Sequence, residues 1–212
     1  MIAESALQAQ SILRDTSQFS WHIIPMFVVV LYVYFQEMDR GNWNRVLAAF
    51  AFFGMDLFNE IINGVVFHVS EFAPLWGAPG NDTALLLLIG LNVEISMMFA
   101  INGIAATLAL PQNKQLKILG INNRLFLAGC FAAISVLIEI GLNAMGALTW
   151  EWSFWNAQFP LLIFLFGYLT FYLACYWVYD MASRKRQILV LSGIYGTNIV
   201  GIVVFGFGLG WL

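Results

Sequence analysis

RVLAAFAFFGMDLFNEIINGVVFH, residues 45–68, decides the class of this chain. As an α-helix it would rise about 36 Å, enough to cross the ~30 Å hydrocarbon core of a bilayer. Between Arg45 and His68 its only ionisable side chains are Asp56 and Glu60. A carboxylate at that depth is costly unless it is paired, protonated or turned towards a cavity.

Five further stretches read the same way: 19–36, 83–110, 125–149, 153–180 and 187–212. The connections at 37–44, 69–82, 111–124, 150–152 and 181–186 are short. The chain is 61% hydrophobic and 10% charged, against about 25% charged in a soluble domain. Alternating strands of the outer-membrane barrel kind are absent. The fold class is therefore an all-α polytopic membrane protein, one domain over 1–212, built as a bundle of six transmembrane helices. Residues 1–18 lack the basic and apolar regions of a signal peptide. Cys130 and Cys175 fall in apolar segments without metal-type spacing and read as small core residues.

Orientation follows from the basic residues. Arg40 and Arg45 flank the first connection, Lys114, Lys117 and Arg124 the third, and Arg184, Lys185 and Arg186 the fifth. The second and fourth hold only Glu71, Asp82 and Glu151. Eight of nine basic residues thus share one side, with Arg14 the exception. Both termini are placed on the non-cytoplasmic side. The expected location is the cytoplasmic membrane of a bacterium.

Two more glutamates, Glu94 and Glu139, lie in apolar stretches. Counted down their helices, Glu60, Glu94 and Glu139 converge at about 12–17 Å from the outer boundary. Helical periodicity puts Asp56, Asn59, Glu60 and Asn63 on one face. It puts Ser135, Glu139, Asn143 and Gly146 on another. Gly90, Glu94, Met97 and Met98 share a face of their own helix, and Asn92 points away as an interhelical hydrogen bond. Pro25 and Pro160, at similar depth, are expected to bend their helices and widen the outer half into a cavity. The glycines of the last stretch, Gly193, Gly196 and Gly201 among them, are read as close-packing positions.

The chemistry expected of this cluster is that of carboxylates. Several close together in low dielectric cannot all ionise. Asp56, Glu60, Glu94 and Glu139 are the candidate catalytic acids and bases. Asn59, Asn63, Asn143 and Trp155 are candidate substrate contacts, with Trp155 in an aromatic run that can offer ring faces to a cation. Three carboxylates with amide oxygens would also suit a divalent ion such as Mg2+ or Ca2+. With His22 added, the set His22, Glu60, Glu94 and Glu139 would suit Mn, Fe or Zn. Paired histidines for heme, a lysine in the last helix for retinal and phosphate-cradling Gly-Lys motifs for nucleotides are all missing, so none of these cofactors is expected.

The first functional expectation is an intramembrane enzyme acting on an isoprenoid or other lipid by acid–base or metal-assisted chemistry. In outline the chain resembles the compact transmembrane terpene cyclases, which also use intramembrane acids. Those are described with seven helices where six are read here, and this chain has no motif specific to them. The alternatives are a transporter or channel for protons or a small cation, and a subunit of a larger membrane complex. The expected partners are membrane lipid or a lipid-soluble small molecule, with a second copy of the chain or a complex left open. Nucleic acid is not expected.

Overall fold

The computed structural model describes residues 1–80 and 85–212. Asp82 and the expected helix start at position 83 lie outside the described residues. The fold is helical. A short α1 (Glu4–Ser11) precedes α2 (Ile23–Asp39), α3 (Trp43–Ser70), α4 (Val93–Leu108) and α5 (Asn123–Ala144). A π-helical turn, Ile163–Leu169, leads into α6 (Thr170–Tyr179), and α7 (Arg184–Gly201) ends in a second π-helical turn, Ile202–Gly208. Each apolar stretch of the sequence thus carries a helix. Three runs are long and apolar enough to cross a membrane: Trp43–Ser70, Asn123–Ala144 and Arg184–Gly208. Val93–Leu108 and Ile163–Tyr179 are apolar but shorter.

The shortness of α4 has a local cause. Residues 86–92, expected to be helical, instead form a hairpin of β1 (Leu86–Leu88) and β2 (Leu91–Asn92). Apolarity alone does not separate strand from helix. Asn92 sets the boundary: its side chain accepts from the Ile95 backbone N–H at 2.7 Å and caps α4. It is a cap and not an interhelical bond. A second hairpin, β3 (Lys117–Ile118) with β4 (Ile121–Asn122), opens α5, where Asn122 accepts from the Arg124 N–H at 2.9 Å.

The two prolines also act differently from expectation. Pro25 sits in the first turn of α2, and Pro160 just ahead of the helical run at 161. Proline is tolerated at helix starts because its missing N–H has no partner to lose. Neither bends a helix interior.

The hub is α3, which packs against α4, α6 and α7, while α5 packs on α6 and the π-helical turn before it. Phe52 of α3 lies 4.8 Å from Tyr172 and 5.8 Å from Phe99, ring centre to ring centre. The closest helix approaches are made by glycines. A Cβ on Gly103 would stand 2.6 Å from the Ala49 Cα, so α4 lies backbone to backbone on α3. Gly54 makes room for the Ile194 and Tyr195 side chains of α7. Of the last-helix glycines, Gly201 packs on Ile61, whereas Gly193 and Gly196 face open space.

The two ends of the bundle differ. One end gathers the basic residues. There Glu37, in the last turn of α2 beyond the apolar span 19–36, ion-pairs with Arg40 and Arg45 and accepts from Asn42 at 2.8 Å. Asp180 pairs with Arg124 at 2.9 Å and Lys114 at 3.4 Å. The Arg184 guanidinium covers the Trp43 ring at 5.4 Å. The opposite, acidic end is roofed by irregular backbone: the turn after α3, the β1–β2 hairpin and residues 150–160. Gly77 and Thr149 exchange backbone hydrogen bonds at 3.0 and 2.8 Å, and the Trp152 indole donates to the Ala73 and Pro74 carbonyls at 3.1 Å each.

Candidate functional site

Under that roof lies a chamber of about 20 Å³, lined by Asp56, Asn59, Trp76, Glu139, Trp155 and Tyr168, with Phe99 and Phe171 completing its aromatic wall. Such a volume holds about one water molecule. Asp56 and Glu60 are one turn apart on α3 and are 3% and 2% exposed. Glu139 comes from α5 on the other side. Asp56 is within electrostatic range of both glutamates, and Glu60 of Glu139.

Two of the three acids are held by aromatic donors rather than cations. The Trp76 indole N–H donates to Glu60 Oε1 at 2.7 Å, and the Tyr168 hydroxyl donates to Glu139 Oε1 at 2.8 Å. Among the described residues, Asp56 Oδ2, Glu60 Oε2 and the Trp155 indole nitrogen have no hydrogen-bond partner. Among the described residues, no Lys, Arg or His forms an ion pair with any of the three acids. Buried polar groups are ordinarily satisfied, so these acids are not accounted for by structure alone.

The local sequence explains the placement of Trp76. Asn63, one turn beyond Glu60, accepts from the Leu75 and Trp76 N–H groups at 2.7 and 3.3 Å and donates to the Trp76 carbonyl at 2.7 Å. That clamp folds the turn back over α3. Gly90 makes room, since a Cβ there would collide with the Trp76 ring. Trp155 then stacks on Trp76, with ring centres 5.7 Å apart.

Of two larger cavities, one reaches Glu60 and the other reaches Tyr168. A vestibule of about 490 Å³ opens at the acidic end between Phe67, His68, Glu71, Ile89 and Trp211, with Glu60 in its wall. A groove of about 420 Å³ runs between α4 and α5, with Met98, Ile101, Ile134 and Ile138 on its sides. Asn102, Ser135 and Tyr172 form a small polar group within it: Asn102 donates to the Tyr172 hydroxyl at 2.8 Å, and Ser135 lies 2.9 Å from it. Tyr168 lines both this groove and the acid chamber.

Of the expected catalytic acids, Asp56, Glu60 and Glu139 come together and Glu94 does not. Because α4 begins at Val93, Glu94 stands in its first turn rather than eleven residues below the outer boundary. There its Oε1 is 2.9 Å from His22 Nε2, whose Nδ1 lies 2.6 Å from Ser20 Oγ. The His22, Glu60, Glu94 and Glu139 set is accordingly split, and the described residues contain no group of three His, Cys, Asp or Glu positioned to hold a metal ion. Among the expected substrate contacts, Trp155 and Asn59 line the chamber, the latter donating to the Phe166 carbonyl at 2.9 Å inside the π-helical turn. Asn63 is used by the Trp76 clamp. Asn143 donates to the Leu148 carbonyl at 2.9 Å and only closes the end of α5.

Trp76 and Tyr168 are the residues of the candidate site that sequence reasoning missed. Tyr168, Tyr172 and Tyr176 recur every four residues, a stripe on one helix face that could have pointed to the groove. Nothing local in the sequence announces Trp76, whose role depends on the turn folding back.

Comparison with known proteins gives kinship without an activity. A protein of Archaeoglobus fulgidus described as "Uncharacterized protein" is 50% identical over 212 residues, covering the whole of both chains. A second, shorter Archaeoglobus fulgidus protein with the same description is 45% identical over 53 residues, which is 25% of this chain and 95% of that one. No solved structure matches. These relatives are archaeal, so the expected bacterial membrane has no support, while an integral membrane location stands. The profile described as "Uncharacterized membrane protein family" matches residues 3–207, and the chain belongs to that family.

Proposed function

We propose that this protein is an intramembrane acid–base enzyme acting on a lipid-soluble substrate. The observation that carries the reading is the position of Tyr168, which forms part of both the apolar groove between α4 and α5 and the chamber holding Asp56 and Glu139. Ile134 and Ile138 at the groove rim are each 52% exposed, so a hydrocarbon chain can enter sideways from the bilayer. The 20 Å³ chamber is too small for such a chain and serves as the proton store behind Tyr168. Glu139 with Tyr168 delivers a proton to a double bond or carbonyl of the substrate. A proton from a neighbouring carbon returns to a carboxylate of the same cluster. The net change is an isomerisation or cyclisation that needs no oxidant or reductant. Phe131 and Tyr172 in the groove lining present ring faces that stabilise positive charge on the reacting carbon. The bundle is read with six spans and both termini on the non-cytoplasmic side, which puts the vestibule outside.

The test is deuterium exchange. Proteoliposomes holding the chain are incubated in D2O with a panel of polyprenyl alcohols and isoprenoid polyenes, and the lipids are weighed by mass spectrometry. The wild type should place deuterium on carbon, and Glu139→Gln and Tyr168→Phe should lose that activity. No incorporation into any lipid would overturn the reading. A second reading, proton- or cation-coupled transport, is favoured by one observation: Glu60 borders the vestibule. Cation uptake into the same proteoliposomes, abolished by Glu60→Gln, would put it first.

A further inference from the structure

Arg14 is the one basic residue at the acidic end, and its surroundings give it a use. It sits at the mouth of a third groove, of about 510 Å³, between Phe53 and Leu57 of α3, Leu87 and Leu91 of the hairpin, and Ile202 and Phe207 after α7. Arg14 is the only charged side chain among the described residues of that lining. Phe207 is 85% exposed and faces the surroundings of the bundle.

The arginine is fixed by its own backbone. Its φ of +58° is in the left-handed region, uncommon for a residue with a side chain. The backbone N–H donates to the Leu86 carbonyl at 2.9 Å, and the side-chain Nε donates to the Leu87 carbonyl at 3.2 Å. Among the described residues, the two Nη groups have no acceptor and no carboxylate pairs with Arg14. Neighbouring Asp15 is turned to Ser17, accepting from its N–H at 2.9 Å and its hydroxyl at 2.8 Å.

We infer that Arg14 and this groove form a binding site for an anionic membrane lipid. The phosphate sits on the Nη groups and a hydrocarbon chain lies between α3 and the Ile202–Gly208 turn. A planar guanidinium with two unused nitrogens matches a phosphate. The apolar trough behind it matches a lipid tail rather than a soluble anion. Basic residues are scarce on this side, so an anchored, unpaired arginine there calls for an anionic partner. The site is separate from the carboxylate chamber, and does not depend on the enzymatic reading.

Native mass spectrometry of the full chain, purified from vesicles of phosphatidylcholine with a minor fraction of phosphatidylglycerol, tests this. The wild type should retain phosphatidylglycerol preferentially. Arg14→Gln should lower that retention about tenfold, the effect of one charge-assisted contact, with phosphatidylcholine retention and melting midpoint unchanged. Phe207→Ala should lower it as well. Equal retention of both lipids by the wild type, or unchanged retention by Arg14→Gln, would overturn the inference. So would complete displacement of the lipid by inorganic phosphate, which would mark a bare anion site.

Discussion

Acids are buried in two regions of this molecule, and they are treated in opposite ways. At the basic end Glu37, 3% exposed, is surrounded by Arg40, Arg45 and Asn42. In mid-bundle Asp56 and Glu60 are as deeply buried and Glu139 is partly buried, yet their donors are an indole and a phenol, and two of their oxygens have no partner among the described residues. An acid ringed by cations is spent on holding loops together. Acids grouped without cations destabilise the fold and keep their proton chemistry available. The contrast separates a cation-paired carboxylate from the candidate site acids more sharply than depth does.

The largest expected effect sharpens that contrast. Glu139→Gln should cut lipid deuterium exchange by about 10²-fold or more while leaving the melting midpoint in place. If exchange survives, or the protein unfolds instead, the mid-bundle acids are structural too. Glu37→Gln should do the reverse. It strands Arg45 and should cost on the order of 3 kcal/mol of stability, with exchange per folded molecule unchanged. Denaturation midpoints measured alongside exchange rates check both.

A smaller effect tests the spacing that brings α3 and α4 together. Gly103→Ala places a methyl group against the Ala49 backbone and should cost about 1–3 kcal/mol through overpacking. A neutral result in thermal melts would mean the two helices can separate freely.

Acid titration distinguishes the two regions again. Burial by itself would raise the Glu37 carboxyl, but hydrogen bonds from Arg45 and Asn42, and the charges of Arg45 and Arg40, outweigh it and hold Glu37 below its ordinary 4.5. Its contribution to stability is therefore complete above that value and is lost as pH falls through the lower folded one. Melting midpoints should drop in that acid range for the wild type and drop less for Glu37→Gln. Equal slopes would remove Glu37 as the cause.

The smallest effect is expected at His22. Its pair with Glu94 is half in solvent, and such pairs contribute about 0–1 kcal/mol. His22→Gln should leave both stability and exchange nearly unchanged. A large loss of exchange would return Glu94 to the site.

Periodicity and composition were enough to read the helical membrane class, the segregation of basic residues to alternate connections, and the shared face of Asp56, Asn59, Glu60 and Asn63. These are local properties: a span needs a continuous apolar run, and a helix repeats its faces every 3.6 residues. Glu139 was legible for the same reason, lying on a regular helix whose start was well marked.

Tertiary structure decided the rest, because the remaining features depend on where irregular backbone returns. Apolar residues 85–92 could have extended α4 by periodicity, but the hairpin and the Asn92 cap end the helix at Val93 and move Glu94 to the rim. Only the Asn63 clamp puts the Trp76 indole on Glu60, and only the packing of α5 against the π-helical turn brings Tyr168 to Glu139. A sequence fixes which side chains share a helix face. Which partners they meet is set by contacts between segments far apart in the chain, where hydrogen bonding and close packing choose among arrangements that local preference leaves equal.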